Sequence, residues 1–178
     1  KSFNDRPNLI TKREIRIQIL ADLDLPNEGV LWDIGAGSGT IGLEALRLRP
    51  NLKLFSIDKR LGTRNLIEIN SERLSVKPEK IIEEDIHKIL QDKFENTLMI
   101  PNRVIIGGCD KKTKIFIIEE LSKLKNKDLV IVVPIITLES LQKVKLIFED
   151  NGFKTSFSMI QIFKGISINE GSRLEPNN

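Results

Sequence analysis

The chain has 178 residues, 40% of them hydrophobic, which suffices for one core of ordinary size but not for two, so a single domain over residues 1–178 is expected. A lone cysteine, Cys109, and a lone histidine, His87, exclude an internal disulfide and a zinc cluster, and no apolar run approaches the roughly 20 residues that span a bilayer. The net charge of +3 (pI near 9.0) comes without a dense basic run or interleaved aromatics, so neither a membrane nor a nucleic acid is indicated as partner, and a cytoplasmic enzyme is the default.

The chain begins at Lys1 without a Met, and further residues, even a whole domain, are expected upstream. Thr11-Lys12-Arg13-Glu14 sets Thr three residues before Glu, a capping box that opens a helix over about residues 11–24 with Ile15, Ile19 and Leu23 inward. Val30 to Gly39, V-L-W-D-I-G-A-G-S-G, is an apolar run that breaks into Asp33 and then glycines at alternate positions. The run reads as a buried strand, and the glycines as a turn where backbone approaches a ligand without side chains in the way. From Thr40 the pattern Ile41, Leu43, Ala45, Leu46, Leu48 suits a helix starting at that turn.

Strand and helix then alternate. Leu52 to Asp58 and Lys80 to Ile82 are the second and third strand candidates, Arg103 to Gly108 the fourth and Asp128 to Pro134 the fifth. Lys111 to Leu124 carries Ile115, Ile118, Leu121 and Leu124 at helical spacing. Leu138 to Phe148 does likewise with Leu141, Val144, Ile147 and Phe148 before Asn151-Gly152 stops it. Continuous β-branched runs belong in a parallel sheet covered on both faces, which predicts an α/β three-layer sandwich with a mostly parallel sheet.

Strand-Asp33-x-Gly35-x-Gly37-x-Gly39 resembles the first motif of the Rossmann-like, class I S-adenosylmethionine-dependent methyltransferases. The resemblance implies S-adenosylmethionine as cofactor, with Asp33 near the methionine ammonium and the loop Gly35, Ala36, Gly37, Ser38 and Gly39 beneath the sulfonium. Asp58 ends an apolar strand about twenty residues after the loop, the arrangement that holds vicinal ribose hydroxyls, and it also reads as a helix cap. In methyltransferases of this class the acid after the third strand receives the adenine amine, which implies Asp85, with Ile86 on the ring; a solvated acidic loop Glu83-Glu84-Asp85 is the competing reading. Gly37, Gly39 and Gly42 also fit G-x-G-x-x-G, so a nicotinamide-binding dehydrogenase domain stays open on spacing alone. His87 reads as a surface or capping residue rather than a general base.

Taken in order, T-K-R-E-I-R from Thr11, W-D-I-G-A-G-S-G, I-I-G-G at Ile105 to Gly108, T-L-E at Thr137 and G-S-R-L-E-P at Gly171 to Pro176 resemble the decarboxylating precorrin-6Y or cobalt-precorrin-6B methyltransferase modules of cobalamin biosynthesis. That likeness implies methylation of carbon 15 of a corrin precursor with loss of carbon dioxide from the ring C acetate. A separate domain or subunit methylates carbon 5, and stand-alone forms are homo-oligomers. It implies Thr11 beside the methionine part of the cofactor, and Gly107 and Gly108 as a floor on which a flat macrocycle lies. Arg173, with Arg16, Lys59 and Lys164, is a candidate for the substrate carboxylates. The family continues past this region into a last apolar strand, so a final sheet position that is empty, disordered or cut away is expected here. No catalytic residue is assigned. The rival acceptors are RNA or protein, against which stands I-I-G-G-C-D where an N-P-P-Y-like loop would hold a target amine.

Overall fold

The computed structural model describes residues 11–92, 97–124, 126–169 and 171–176. In chain order the elements are α1 (Arg13–Asp22), β1 (Glu28–Ile34), α2 (Thr40–Leu48), β2 (Asn51–Ile57), α3 (Thr63–Leu74), β3 (Lys80–Ile82), α4 (Ile86–Asp92), β4 (Arg103–Ile106), α5 (Lys111–Lys123), β5 (Val130–Val132), α6 (Leu138–Asp150), β6 (Phe163–Ile168) and β7 (Gly171–Pro176). The first five strands form one parallel sheet in the order β3-β2-β1-β4-β5. The chain builds outward from β1 to β3, then returns to β1's other side for β4. The order therefore reverses between β1 and β4, and in open α/β sheets ligands bind at the carboxyl ends of the strands at such a switch point.

Alternation along the strands divides the core into two layers. Leu31, Leu54 and Ile105 face α1, α2 and α3, meeting Ile19, Leu23, Leu43, Leu46 and Ile67. Trp32, Ile34, Phe55, Ile57, Val104 and Ile106 face the other way, onto Ile89 of α4, Ile117, Ile118 and Leu121 of α5, and Val144 and Phe148 of α6. Trp32 is wholly buried, and its indole N–H is satisfied by donating to the Met99 carbonyl at 2.9 Å. A sheet buried on both faces explains why its central strands read as continuous apolar runs. Among the described residues no helix is long and apolar enough to cross a membrane.

Three expectations change. The helix begins at Arg13 with Lys12 as its cap residue and no side-chain cap, so the Thr11–Glu14 box does not form; the Thr11 carbonyl instead accepts from Arg16 Nη1 at 2.6 Å. The inward stripe of α5 is Thr113, Ile117, Ile118 and Leu121, a register that leaves Ile115 only half-buried. The fifth strand shrinks to Val130–Val132 and is half-buried throughout, as befits an edge strand with one paired side. Beyond the main sheet, β7 pairs antiparallel with β6 in a separate two-stranded sheet that leaves Phe163, Ile166, Ile168 and Leu174 exposed.

Candidate active site at the switch point

The glycine turn closes β1 over the sheet's carboxyl edge. Gly35, Gly37 and Gly39 have φ of +74°, +58° and +74°, the left-handed region that alternate glycines make cheap. The Gly35 N–H donates to the Ile57 carbonyl at 2.8 Å and Ala36 N–H to the same oxygen at 3.2 Å, while Gly39 N–H closes the turn on the Ala36 carbonyl at 2.8 Å. Buried Ser38 is held through its carbonyl, which accepts from Asn70 Nδ2 of α3 at 3.0 Å.

Gly39 caps α2 without a side chain, and Asp33 supplies the missing acceptor from inside the sheet: its Oδ2 accepts from Gly42 N–H at 3.1 Å. This carboxylate stabilises the helix's amino terminus and its orphan donors. Glycine at position 42 leaves room for the contact, since a β-carbon there would stand 2.9 Å from Asp33 Oδ2 and 2.8 Å from Leu54 Cδ1 and one of them would have to shift. Burial pushes the Asp33 carboxyl up to about 7, against the opposing Gly42 bond and with a smaller contribution from the Asp58 charge.

A carboxyl raised in this way stabilises the fold fully below 3.8, and that contribution is lost as pH rises through about 7. The loss is on the order of 4 kcal/mol at most, at 1.36 kcal/mol per unit. Asp33→Asn keeps an acceptor for Gly42 and removes the titration. Urea unfolding between about pH 4 and pH 8 should show the wild-type stability falling relative to the variant; parallel curves would deny the shift.

Asp58 follows β2 and is buried, with its backbone N–H on the Ile82 carbonyl at 3.0 Å. Its carboxylate accepts from the Gly37 N–H at 2.9 Å, the Arg60 N–H at 2.9 Å, Arg60 Nε at 3.1 Å and Arg60 Nη2 at 2.9 Å. Burial opposes ionisation, but the bonds from Arg60 and Gly37 together hold the carboxyl below its usual value. The glycine turn and Asp58 are thus joined directly. Asp58→Ala should weaken S-adenosylhomocysteine binding by about 1.5–3 kcal/mol, the range for hydrogen bonds to a charged group. Unchanged affinity in calorimetry would remove Asp58 from the site.

Beyond β3 the three acids divide their work. Glu83 Oε2 accepts from the Arg64 N–H at 3.0 Å at the start of α3, Glu84 Oε1 accepts from the Asp85 N–H at 3.0 Å, and Asp85 Oδ1 caps α4 by accepting from the His87 N–H at 2.9 Å. Asp85 also faces Lys59 Nζ at 3.9 Å and remains partly open to water. Ile86 is buried in the layer with α4 and α5. His87 is half-buried: its ring stacks on Phe116 with centroids 4.2 Å apart, and Nε2 lies 3.3 Å from Thr113 Oγ1, which donates to Asp110 Oδ2 at 3.0 Å.

Gly107 and Gly108 complete the rim. Gly107 N–H donates to the Ile34 carbonyl at 2.8 Å, and a β-carbon at Gly35 would lie 3.1 Å from Gly108 N, so the diglycine and the glycine turn touch across the switch point. Burial pushes the neighbouring Cys109 thiol up to about 11, which makes it a poor nucleophile. A polar groove of about 480 Å³ lined by Glu28, Asn102, Arg103 and Lys127 lies at the opposite, amino-terminal end of the strands, away from every motif residue.

The structure thus brings together Asp33, Gly35 to Gly39, Asp58, Gly107 and Gly108, with Asp85 and Ile86 following the neighbouring strand. It does not bring Arg173 to them. Arg173 stands on β7 opposite Ile166, exposed and paired with Glu175. Arg16 is committed elsewhere, its Nε and Nη2 donating to Glu44 at 2.9 and 2.8 Å, which pins α1 and the Thr11 carbonyl to α2. Arg60 and Gly42 were not singled out for these roles by the sequence, although Asp-x-Arg in the turn after a strand is the pattern that lets a guanidinium fold back onto the acid.

The sequence pattern of the precorrin methyltransferase domain matches residues 2–176. The chain belongs to the precorrin methyltransferase domain family. A probable cobalt-precorrin-6B C(15)-methyltransferase (decarboxylating) of Pyrobaculum aerophilum is 30% identical, over 95% of this chain and 84% of the relative. The crystal structure of precorrin-6y C5,15-methyltransferase from Geobacter metallireducens superposes with a TM-score of 0.83 at 28% identity, covering 99% of this chain and 90% of that one. The precorrin 8w decarboxylase structure from Methanobacterium thermoautotrophicum shares the fold with the same TM-score at 20% identity, over 99% and 92% of the two chains. The α/β class I methyltransferase fold and the assignment as a methyltransferase follow, and a nicotinamide dehydrogenase is set aside.

Proposed function

We propose that this chain is one S-adenosylmethionine-dependent C-methyltransferase domain that acts at carbon 15 of precorrin-6B or cobalt-precorrin-6B and decarboxylates the ring C acetate, whose carboxyl group leaves as carbon dioxide while its methylene carbon stays on the ring. The observation that carries the reading is the joining of three left-handed glycines, Asp58 and the Gly107–Gly108 rim at one switch point. The loop presents bare backbone at three left-handed glycines, which fits a ligand laid against backbone. Bound there, S-adenosylmethionine supplies an electrophilic methyl group.

The chain's own residues bind and orient. Gly35 to Gly39, with Ala36 and Ser38, take the methionine end, Asp58 the ribose diol, and Asp85 with Ile86 the adenine. Asp33 serves the cofactor from below, by fixing α2 and so the loop. Thr11 acts through its carbonyl and Arg16 rather than as a cap. Aligning acceptor carbon and methyl group and excluding water supply most of the acceleration in such a transfer.

The partners proposed are the corrin precursor, a carbon 5 methyltransferase domain or subunit, and a second copy of the chain, to which the exposed apolar hairpin β6–β7 lends support. A cytoplasmic setting suits this chemistry. Calorimetry tests the cofactor half: S-adenosylmethionine and S-adenosylhomocysteine should bind and NADH should not, and the reverse order would overturn it. Turnover of the tetrapyrrole tests the acceptor half.

A further inference from the structure

The acceptor positions of Asp58 are fully used. Oδ1 accepts from the Arg60 N–H and Nε, and Oδ2 from the Gly37 N–H and Arg60 Nη2. An ionised carboxylate offers about four such positions. Two of these donors are backbone and fixed by the turn. The other two belong to the Arg60 side chain, which is 51% exposed and therefore exchangeable with water or a ligand. The same guanidinium overhangs the glycine loop, where a β-carbon at Gly37 would stand 3.0 Å from Arg60 Nη2.

A ribose diol at Asp58 needs the positions that the Arg60 side chain occupies. Resting on the reading of Asp58 as the ribose residue, we propose that Arg60 is a substrate-positioning residue: cofactor binding exchanges it from Asp58 to a carboxylate of the acceptor. A guanidinium fork matches a carboxylate as well as it matches Asp58, and charge-assisted pairs of this kind are the stronger hydrogen bonds. The reach is short. Gly37 lies two residues from Gly35, at most about 7 Å along the backbone, and Gly35 abuts Gly108. A macrocycle seated on the diglycine, with carboxylates around its rim, brings one of them to the displaced Arg60. Cofactor binding thereby creates the anion site, and the order of binding is cofactor first.

The exchange has two opposite signatures in one substitution. In Arg60→Met the competitor for Asp58 is gone, so S-adenosylhomocysteine should bind more tightly by about two- to five-fold, the scale of a half-exposed ion pair. With S-adenosylhomocysteine bound, a corrin polycarboxylate probe, cobyrinic acid, should bind Arg60→Met more weakly than wild type by about ten-fold or more, the scale of a hydrogen bond to a charged group. In turnover the acceptor KM should rise with little change in kcat, and Arg60→Lys should recover part of the acceptor affinity. Both constants are read by calorimetry on the whole chain, and circular dichroism checks the fold. Equal or weaker S-adenosylhomocysteine binding by Arg60→Met would overturn the exchange, as would unchanged binding of the polycarboxylate. A wild type that does not bind S-adenosylhomocysteine, or an Asp58→Ala variant that binds it normally, would instead overturn the reading of the cofactor site itself.

Discussion

Gly37→Val is expected to abolish S-adenosylhomocysteine binding while leaving a folded domain. Gly37 holds φ at +58°, where a β-branched residue is strained by about 1–3 kcal/mol, and its N–H donates to Asp58. The strain is released most easily by swinging that peptide, which breaks the link between loop and ribose acid. The fold itself should survive, because the added β-carbon meets only the flexible end of Arg60. Circular dichroism should match wild type and calorimetry should show no binding heat. Normal binding would reduce the loop to ordinary strand–helix packing.

Gly108→Leu should have the converse effect, a domain that binds cofactor and does not turn over. The two glycines differ sharply in surroundings. A β-carbon at Gly107 would lie 3.2 Å from the Gly35 carbonyl oxygen and 3.3 Å from that of Ile34, so glycine there is needed for the crossing of two backbones. At Gly108 the nearest atom is 3.9 Å away, and the space above is open. A leucine there fits the protein and fills the floor assigned to the macrocycle. S-adenosylhomocysteine affinity should stay within about three-fold, a change under 1 kcal/mol, while turnover falls by about a hundred-fold or more, since misplacement near 1 Å already costs that much. Equal losses of cofactor and acceptor binding would place residue 108 in the cofactor cradle instead.

Much of this was legible from residue pattern because the pattern has one physical cause. Leu31, Trp32, Leu54 and Ile105 sit in strands covered on both faces, so the strands read as apolar runs. The alternate glycines read as a ligand turn because three left-handed residues in five admit few other side chains. Asp58 was legible through its place at the end of β2. What the pattern could not reveal depends on partners distant in sequence. Thr11 and Glu14 match a capping box, but Arg16 is drawn to Glu44 and takes the Thr11 carbonyl, and the helix starts later. Asp33 reads as a ligand group, yet from β1 its side chain reaches Gly42 and caps α2. Val130 to Val132 has the composition of a central strand, and only the sheet order makes it an edge. Arg60 carries no signal of its own in the sequence, because its pairing depends on the turn after β2 that folds it onto Asp58.

The most direct measurement is the mass of the product. The wild-type chain, given S-adenosylmethionine and a precorrin-6B-type tetrapyrrole, should convert it to a species heavier by one methyl group and lighter by one carbon dioxide, and Gly108→Leu should not. Cofactor binding with no such change, together with methyl transfer to RNA or protein offered in the same assay, would contradict the corrin assignment.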